Sequence, residues 1–405
     1  MFEYKKRMNS HLKITIIGIS DQQQESFSSE AENAVFRADY FAGGKRHHER
    51  VGHLLPEKHD WTNITVPLTV FFKEIKVRLG YWVVFASGDP LFFGIANSLK
   101  REFPAAEIIV IPYFNSLQLL AHRTATPYGL YRTISLTGRP WQLFDAALIN
   151  GESHLALLTD RKNTPTVIAA RMQYFGYDNY ELLVGECMGG STEKITWFSV
   201  KEAAQTEFQQ PNCLFLTKIE AKCRLRGISE TLFEGLPGRP KMITKMPVRL
   251  TTLALMQLQQ RSVFWDVGAC TGSISIEAKI QVPHLQVRAF EIRPESEGII
   301  TRNCQTFGVP GISLHIGDYL QEDKTTFEKP DAVFLGGYGG QMEALLDDIN
   351  QHLQPGGVLA FNAVRAESEW QFLDWAKNNH FRITTKTKIT VDDFNAIIVI
   401  VIQKI

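Results

Sequence analysis

Residues 263–272 read VFWDVGACTG, and SISIEAKI follows at 273–280. Four apolar or aromatic residues flank Asp266, as in a strand covered on both faces. The small residues Gly268, Ala269, Thr271 and Gly272 then predict a tight turn, and the apolar spacing after them predicts a helix. Gly268 and Gly272 let the main chain turn sharply and approach a bulky ligand without a β-carbon in the way. A dinucleotide loop needs G-x-G-x-x-G. Ala269 and Cys270 after Gly268 break that spacing.

Downstream, acidic or glycine residues close successive strand-like runs. Glu291 ends VRAFE, about 20 residues past the loop, where a carboxylate can accept from both hydroxyls of a ribose. Asp318 ends SLHIGD, and Gly336 and Gly337 end DAVFLGG. Together with the loop at Asp266 these make four such ends in order, which point to one nucleoside-type ligand lying across several strands. The loop D-x-G-x-x-x-G resembles that of S-adenosylmethionine-dependent methyltransferases. The resemblance implies that Asp266 addresses the amino-acid end of that cofactor, with Gly268, Thr271, Gly272, Glu291, Asp318, Gly336 and Gly337 also binding it. No Asn-Pro-Pro-Tyr motif is present. The two glycines leave room for a broad, flat acceptor, with carbon as one candidate methyl target.

The chain has 405 residues, 44% of them apolar, enough for two domains without disulfides or metals. Lys+Arg and Asp+Glu number 43 each. That balance argues against a nucleic-acid binder relying on a strong basic field. The five cysteines (Cys187, Cys213, Cys223, Cys270, Cys304) form no CxxC pair, which excludes a zinc ribbon and fits a reducing compartment. The only apolar run near the start, Ile14 to Ile19, is too short for a secretory signal, and no run reaches the roughly 20 residues of a membrane span. The expectation is a cytoplasmic protein with no membrane and no nucleic-acid partner.

Valine-, isoleucine- and phenylalanine-rich runs at 13–19, 81–87, 107–113, 155–159, 180–185 and 212–219 alternate with helical patterns such as Phe92 to Phe103 and Thr164 to Phe175. Further runs follow at 263–267, 286–291, 312–316, 331–335, 357–361 and 396–402. The alternation predicts an α/β protein with mainly parallel sheets. A dozen strands exceed one ordinary sheet. The stretch 220–246, with Gly235, Pro237, Gly238 and Pro240, shows no strand pattern and predicts domains at 1–225 and 226–405.

In the second half, LFEGLPGRPKMITKMPVRL, WDVGACTGSISIEA, FEIRPE, FLGG and LQPGGVLAFNAV follow one another. Their order resembles the decarboxylating carbon-15 methyltransferases of cobalamin biosynthesis, and MITKMPVR (242–249) is the most specific part. Cys270 departs from the glycine usual there. The resemblance implies a class I Rossmann-like methyltransferase fold, closed by a strand pair at 382–390 and 396–404, with Lys245 and Arg249 near substrate.

In the first half, YWVVFASGDP (81–90) ends a strand in a turn. ASGDPLFFGIA (86–96), IPYFNSLQLLA (111–121), LTGRP (136–140), LTDRKNTP (158–165), GGKRHHE (43–49) and VGECMGG (184–190) resemble the tetrapyrrole methylase family, carbon-5 branch, over about residues 12–220. That family's first strand runs into Gly-x-Gly-Pro-Gly-Asp. This chain reads IIGISDQQQESFS, where only Gly18 and Asp21 match. The resemblance implies cofactor contacts at Gly88, Asp89, Pro90 and Ser116. Corrin precursors carry many carboxylates, which Arg46, His47 and Arg139 would meet, with Lys45, His48, Arg50, Arg161 and Lys162 as further candidates.

Taken whole, the chain resembles the fused precorrin-6Y C5,15-methyltransferases (decarboxylating). That implies S-adenosyl-L-methionine as cofactor and a precorrin or cobalt-precorrin tetrapyrrole as substrate. It also implies a homo-oligomer, no metal site of the protein's own, and methylation of carbons 5 and 15 with loss of the ring C acetate carboxyl. No residue is singled out as catalytic. The alternatives are an RNA or protein methyltransferase with a non-catalytic N-terminal domain, and an N-terminal domain that only presents substrate.

Overall fold

The computed structural model describes residues 12–20, 26–222, 225–239, 242–392 and 395–405. Asp21, Cys223 and Pro240, named above, lie outside them. Two compact units emerge. The first comprises Met1–Arg139, His154–Ala169 and Tyr180–Thr217; the second comprises Pro140–Ser153, Ala170–Asn179 and Lys218–Ile405.

The first unit carries two five-stranded sheets. One contains β1 (Lys13–Ile19), β2 (Tyr40–Gly43), β3 (Trp61–Asn63), β4 (Tyr81–Ser87) and β5 (Glu107–Ile111), in the order β3-β2-β4-β1-β5. All four of its strand pairings are parallel. Val83 and Phe85 pack on one face while Trp82 and Val84 pack on the other. The near-continuous apolar runs are therefore strands buried on both sides. The other sheet holds β6 (Arg132–Ser135), β7 (His154–Leu158), β8 (Tyr180–Glu186), β9 (Lys194–Ser199) and β10 (Asn212–Lys218), in the order β6-β7-β10-β8-β9. It is mixed: β6 runs parallel to β7, but β10 opposes β7 and β9 opposes β8.

The second unit is built on β11 (Val263–Val267), β12 (Gln286–Glu291), β13 (Ile312–Ile316), β14 (Ala332–Leu335), β15 (Val358–Ala363), β16 (Phe381–Ile389) and β17 (Ile397–Lys404). Their order is β13-β12-β11-β14-β15-β17-β16. The first five are parallel, and β17 and β16 close the edge antiparallel. Val263, Trp265 and Val267 enter one core with Leu346, Phe372 and Ile400. Phe264 enters the other with Ile274, Ala278 and Val401. The strand order reverses between β11 and β14, and a cleft opens at the carboxyl ends of the strands at such a reversal.

Strands 40–43, 61–63, 132–135 and 194–199 were not expected from the sequence. Three of them have only three or four residues. The fourth, KITWFS, is an edge strand with no fully buried residue, so its apolar signal is diluted.

Candidate active sites

At the reversal in the second unit, the chain after β11 passes very close to the chain after β14. Gly268 has φ +82°, and a β-carbon there would lie 2.5 Å from the Gly337 nitrogen. One on Gly336 would lie 2.8 Å from the Gly268 carbonyl oxygen. A β-carbon on Gly337 meets nothing within 4 Å. Two cavities flank this crossing, one of about 700 Å3 and one of about 160 Å3, and Gly268 and Gly337 line both.

Asp266, Gly268, Thr271 and Gly336 border the larger cavity. Asp266 is fully buried. Its Oδ2 accepts from the Ser275 amide (3.1 Å) and hydroxyl (2.6 Å), while its Oδ1 has no partner among the described residues. Burial pushes this carboxyl up to about 7, against the pull of the Ser275 hydrogen bonds. The buried Thr271 hydroxyl likewise has no partner among the described residues. Cys270 takes a positive φ of 57°, a strained conformation for a residue with a side chain. Its Sγ lies 2.9 Å from the Met242 carbonyl oxygen, and burial, then Glu291, pushes the thiol up to about 11. That argues for a packed small residue rather than a nucleophile.

Glu291 and Asp318 line the smaller cavity. Glu291 is buried, and its oxygens already hold protein donors: Cys270 N on Oε2 (2.7 Å), Arg293 N (3.0 Å) and Arg293 Nη1 (2.9 Å) on Oε1. Oε2 thus keeps the freer acceptor site, so Glu291 is less open to two sugar hydroxyls than its strand position alone implies. Asp318 caps the turn Tyr319–Gln321 by accepting from Leu320 N at 3.0 Å.

Two positions differ from expectation. Gly272, at φ +75°, would point a β-carbon at Ile300 Cγ2, 2.9 Å away in the core, not at the cleft. Arg249 was expected to meet substrate, but it is fully buried. Its Nε lies 3.3 Å from Glu277 Oε2, and its Nη1 donates to Thr244 O at 2.8 Å. Glu277 also accepts from Gly227 N and Ile228 N, so the pair fastens the chain before Met246–Leu255 to the helix Ser273–Gln281. Lys245, by contrast, lines the large cavity at the N-cap of Met246–Leu255.

In the first unit, three strand ends converge. A β-carbon on Gly18 would lie 2.0 Å from Gly88 O, and one on Gly88, at φ +62°, 2.8 Å from Asn115 Cα. Gly88 N donates to Ile19 O at 2.9 Å. Asp89 Oδ1 accepts from Leu91 N at 2.8 Å, so it holds the turn. Pro90 O accepts from Ala96 N, tying the turn to the helix Ile95–Glu102. Ser116 opens the helix Ser116–Arg123 behind the Asn115 cap and hydrogen-bonds the buried Cys213 thiol. Arg46 Nη2 and His47 Nε2 lie 3.1 and 2.9 Å from Ser87 Oγ, next to Gly88. Arg139 sits elsewhere, its guanidinium 4.7 Å over the exposed Phe93 ring.

The sequence reading passed over Ser87, Arg293, Glu230 and Asn362. Glu230, Arg293 and Asn362 line the large cavity. Asn362 had a usable signal: it is a polar residue ending an otherwise apolar strand, VLAFNA. Glu230 had none, because it reaches the cavity from a single 3-10 turn, Glu230–Leu232, with no strand pattern around it.

Two family models match. Tetrapyrrole (Corrin/Porphyrin) Methylases covers residues 13–204, and Precorrin methyltransferase domain covers 238–396. A precorrin-6Y C(5,15)-methyltransferase [decarboxylating] from Sinorhizobium sp. is 32% identical over 367 residues, 89% of this chain and 87% of the relative. A cobalt-precorrin-6B C(15)-methyltransferase (decarboxylating) from Salmonella typhimurium is 40% identical over 133 residues, 33% of this chain and 68% of the relative. A cobalt-precorrin-7 C(5)-methyltransferase from the same organism is 26% identical over 188 residues, 46% of this chain and 90% of the relative. A tetrapyrrole methylase domain thus precedes a precorrin methyltransferase domain, and the chain belongs to the family of decarboxylating precorrin-6Y C(5,15)-methyltransferases.

Proposed function

We propose that this chain methylates carbons 5 and 15 of a precorrin-6-type tetrapyrrole and removes the carboxyl of its ring C acetate, as a step of cobalamin biosynthesis. S-adenosylmethionine is the methyl donor in this reading, and the division of labour falls near residue 225. Carbon-5 methylation belongs to the first part; carbon-15 methylation and decarboxylation belong to the second. The observation that carries the reading is the row of strand ends Asp318, Glu291, Gly268 and Gly337 beside paired cavities, in a chain matched along 89% of its length by a relative of that name.

The residues fit the cofactor. Asp266 Oδ1 is a buried acceptor with no partner among the described residues, suited to a cationic amino group. The Gly268–Gly337 crossing exposes bare backbone between the cavities. Glu291 Oε2 retains acceptor capacity toward a ribose hydroxyl, and Asp318 stands one strand further along the row. S-adenosylmethionine, when bound, supplies a sulfonium-held methyl group that is already strongly electrophilic. The chain's own residues therefore need mainly to align the acceptor carbon and exclude water. In the first unit, Gly18, Gly88 and Asn115 pack closely where the strand ends meet, beside Arg46 and His47, which suit substrate carboxylates.

The test is incubation of the purified chain with the tetrapyrrole and methyl-labelled S-adenosylmethionine, followed by mass spectrometry. Two added methyl groups and one lost carbon dioxide support the reading. Methyl transfer to RNA or protein, with none to the tetrapyrrole, overturns it.

A further inference from the structure

Asn362 stands at the other end of the row from Asp318. It lies on β15, one residue past Phe361, which pairs with Leu335 of β14. It is therefore beside Gly336, across the glycine crossing from Glu291. If the cofactor lies along β13, β12 and β11, the acceptor must occupy the β14–β15 side.

The Asn362 amide is fixed at one end. Thr252 Oγ1, fully buried on Met246–Leu255, donates to Val248 O at 2.8 Å and shares that one proton with Asn362 Oδ1 at 3.0 Å. Its other end, Nδ2, is shielded from bulk water and has no partner among the described residues. An unpaired buried donor is costly, and such groups in native proteins commonly serve a ligand. The cavity that Asn362 lines also has the apolar Phe334, Val364, Ile389, Val391 and Ile397, together with the polar Asn395.

Resting on the functional reading above, we propose that Asn362 holds the carboxylate that leaves, its Nδ2 donating to one carboxylate oxygen of the acetate. The bond that breaks joins the acetate methylene to its carboxyl carbon. Its electron pair enters the conjugated imine system of the macrocycle, carbon dioxide departs, and the methylene carbon takes up a proton from water. The net change is R–CH2–CO2⁻ + H⁺ → R–CH3 + CO2. A Lys or Arg contact would favour the charged carboxylate over the neutral product and slow the step. A neutral amide fixes the direction of the breaking bond without that penalty. Lys245, in the same cavity, suits carboxylates that stay. Thr252 is a positioning residue: it orients the amide.

The experiment uses the full chain with tetrapyrrole and S-adenosylmethionine. Product masses report carbon dioxide loss and methyl gain separately, and calorimetry with S-adenosylhomocysteine reports the cofactor site. Asn362→Ala and Asn362→Asp are expected to bind S-adenosylhomocysteine like the wild type and to slow decarboxylation by about tenfold or more, as for loss of a hydrogen bond to a charged group. Asn362→Asp, nearly isosteric, guards against a folding defect in the alanine variant, and its charge should also raise KM. Thr252→Val should slow the same step while Thr252→Ser restores it. Asn362→Asp decarboxylating at the wild-type rate would overturn the proposal. A wild type that never releases carbon dioxide would instead overturn the underlying functional reading.

Discussion

Gly268 and Gly337 come so close that a β-carbon on the first would stand 2.5 Å from the backbone nitrogen of the second. The reverse does not hold, since a β-carbon on Gly337 finds open space. Two glycines that look equivalent in the sequence thus have different duties. The first permits the chain crossing; the second keeps the cavities clear.

Gly268→Ala should therefore damage the fold. It forces both a clash with backbone and a left-handed φ on a residue with a side chain, together about 1–3 kcal/mol or more. Gly337→Ala should leave the thermal midpoint nearly unchanged. Equal losses of Tm in the two variants would contradict the asymmetry.

Cys270→Gly should stabilise the protein or leave it unharmed. Relief of the left-handed strain is worth about 1–2 kcal/mol, partly offset by the extra freedom of glycine in the unfolded chain. The Sγ contact to Met242 O is lost in exchange. Urea unfolding measures the sum, and a drop beyond about 1 kcal/mol would mean that the thiol contact outweighs the strain.

Asp266 makes stability pH-dependent. Its folded pKa, raised to about 7 by burial, exceeds the ordinary 3.8. The folded protein therefore holds this proton more tightly, and stability declines as pH rises between those values. Asp266→Asn should be more stable than wild type at pH 8, by an amount on the order of 2–4 kcal/mol at most, and lose that advantage near pH 4. If Asp266 faces the cofactor's cationic amino group, wild-type affinity for S-adenosylhomocysteine should rise through pH 7 and the variant's should not. A flat wild-type profile in calorimetry would remove Asp266 from the site.

Arg249 shows where sequence reading stopped. MITKMPVR marked the right segment, because Met242 and Lys245 do border the large cavity. Nothing in linear sequence says which of two nearby basic residues faces inward. That depends on Glu277, 28 residues away, which draws the guanidinium into the core. The row of strand ends was legible because each lies at a fixed place after an apolar run. The partners of Glu291 and the short strands were not, since they depend on tertiary contacts.

Removing one member of that pair strands a buried charge. Arg249→Met should cost about 3–5 kcal/mol, with little change in KM for the folded fraction. Glu277→Leu should cost more, because the amides of Gly227 and Ile228 also lose their acceptor. A raised KM at unchanged stability in Arg249→Met would return this residue to the substrate site.

The division of labour can be tested at the two glycine sites. Gly272→Trp would be a poor probe, because the new side chain would run into Ile300 and the core. Gly337→Leu is better: the backbone φ there is unstrained and the new side chain has open space beside both cavities. It should abolish decarboxylation and carbon-15 methylation while the protein stays folded. Gly88→Val is the counterpart in the first unit. At φ +62° and 2.8 Å from Asn115 Cα, it distorts the meeting of the three strand ends. Its product should lose carbon dioxide and gain one methyl, whereas the Gly337→Leu product keeps its acetate and gains at most one. Product masses separate these outcomes directly. If Gly337→Leu decarboxylates at the wild-type rate while folded, decarboxylation does not belong to the second unit.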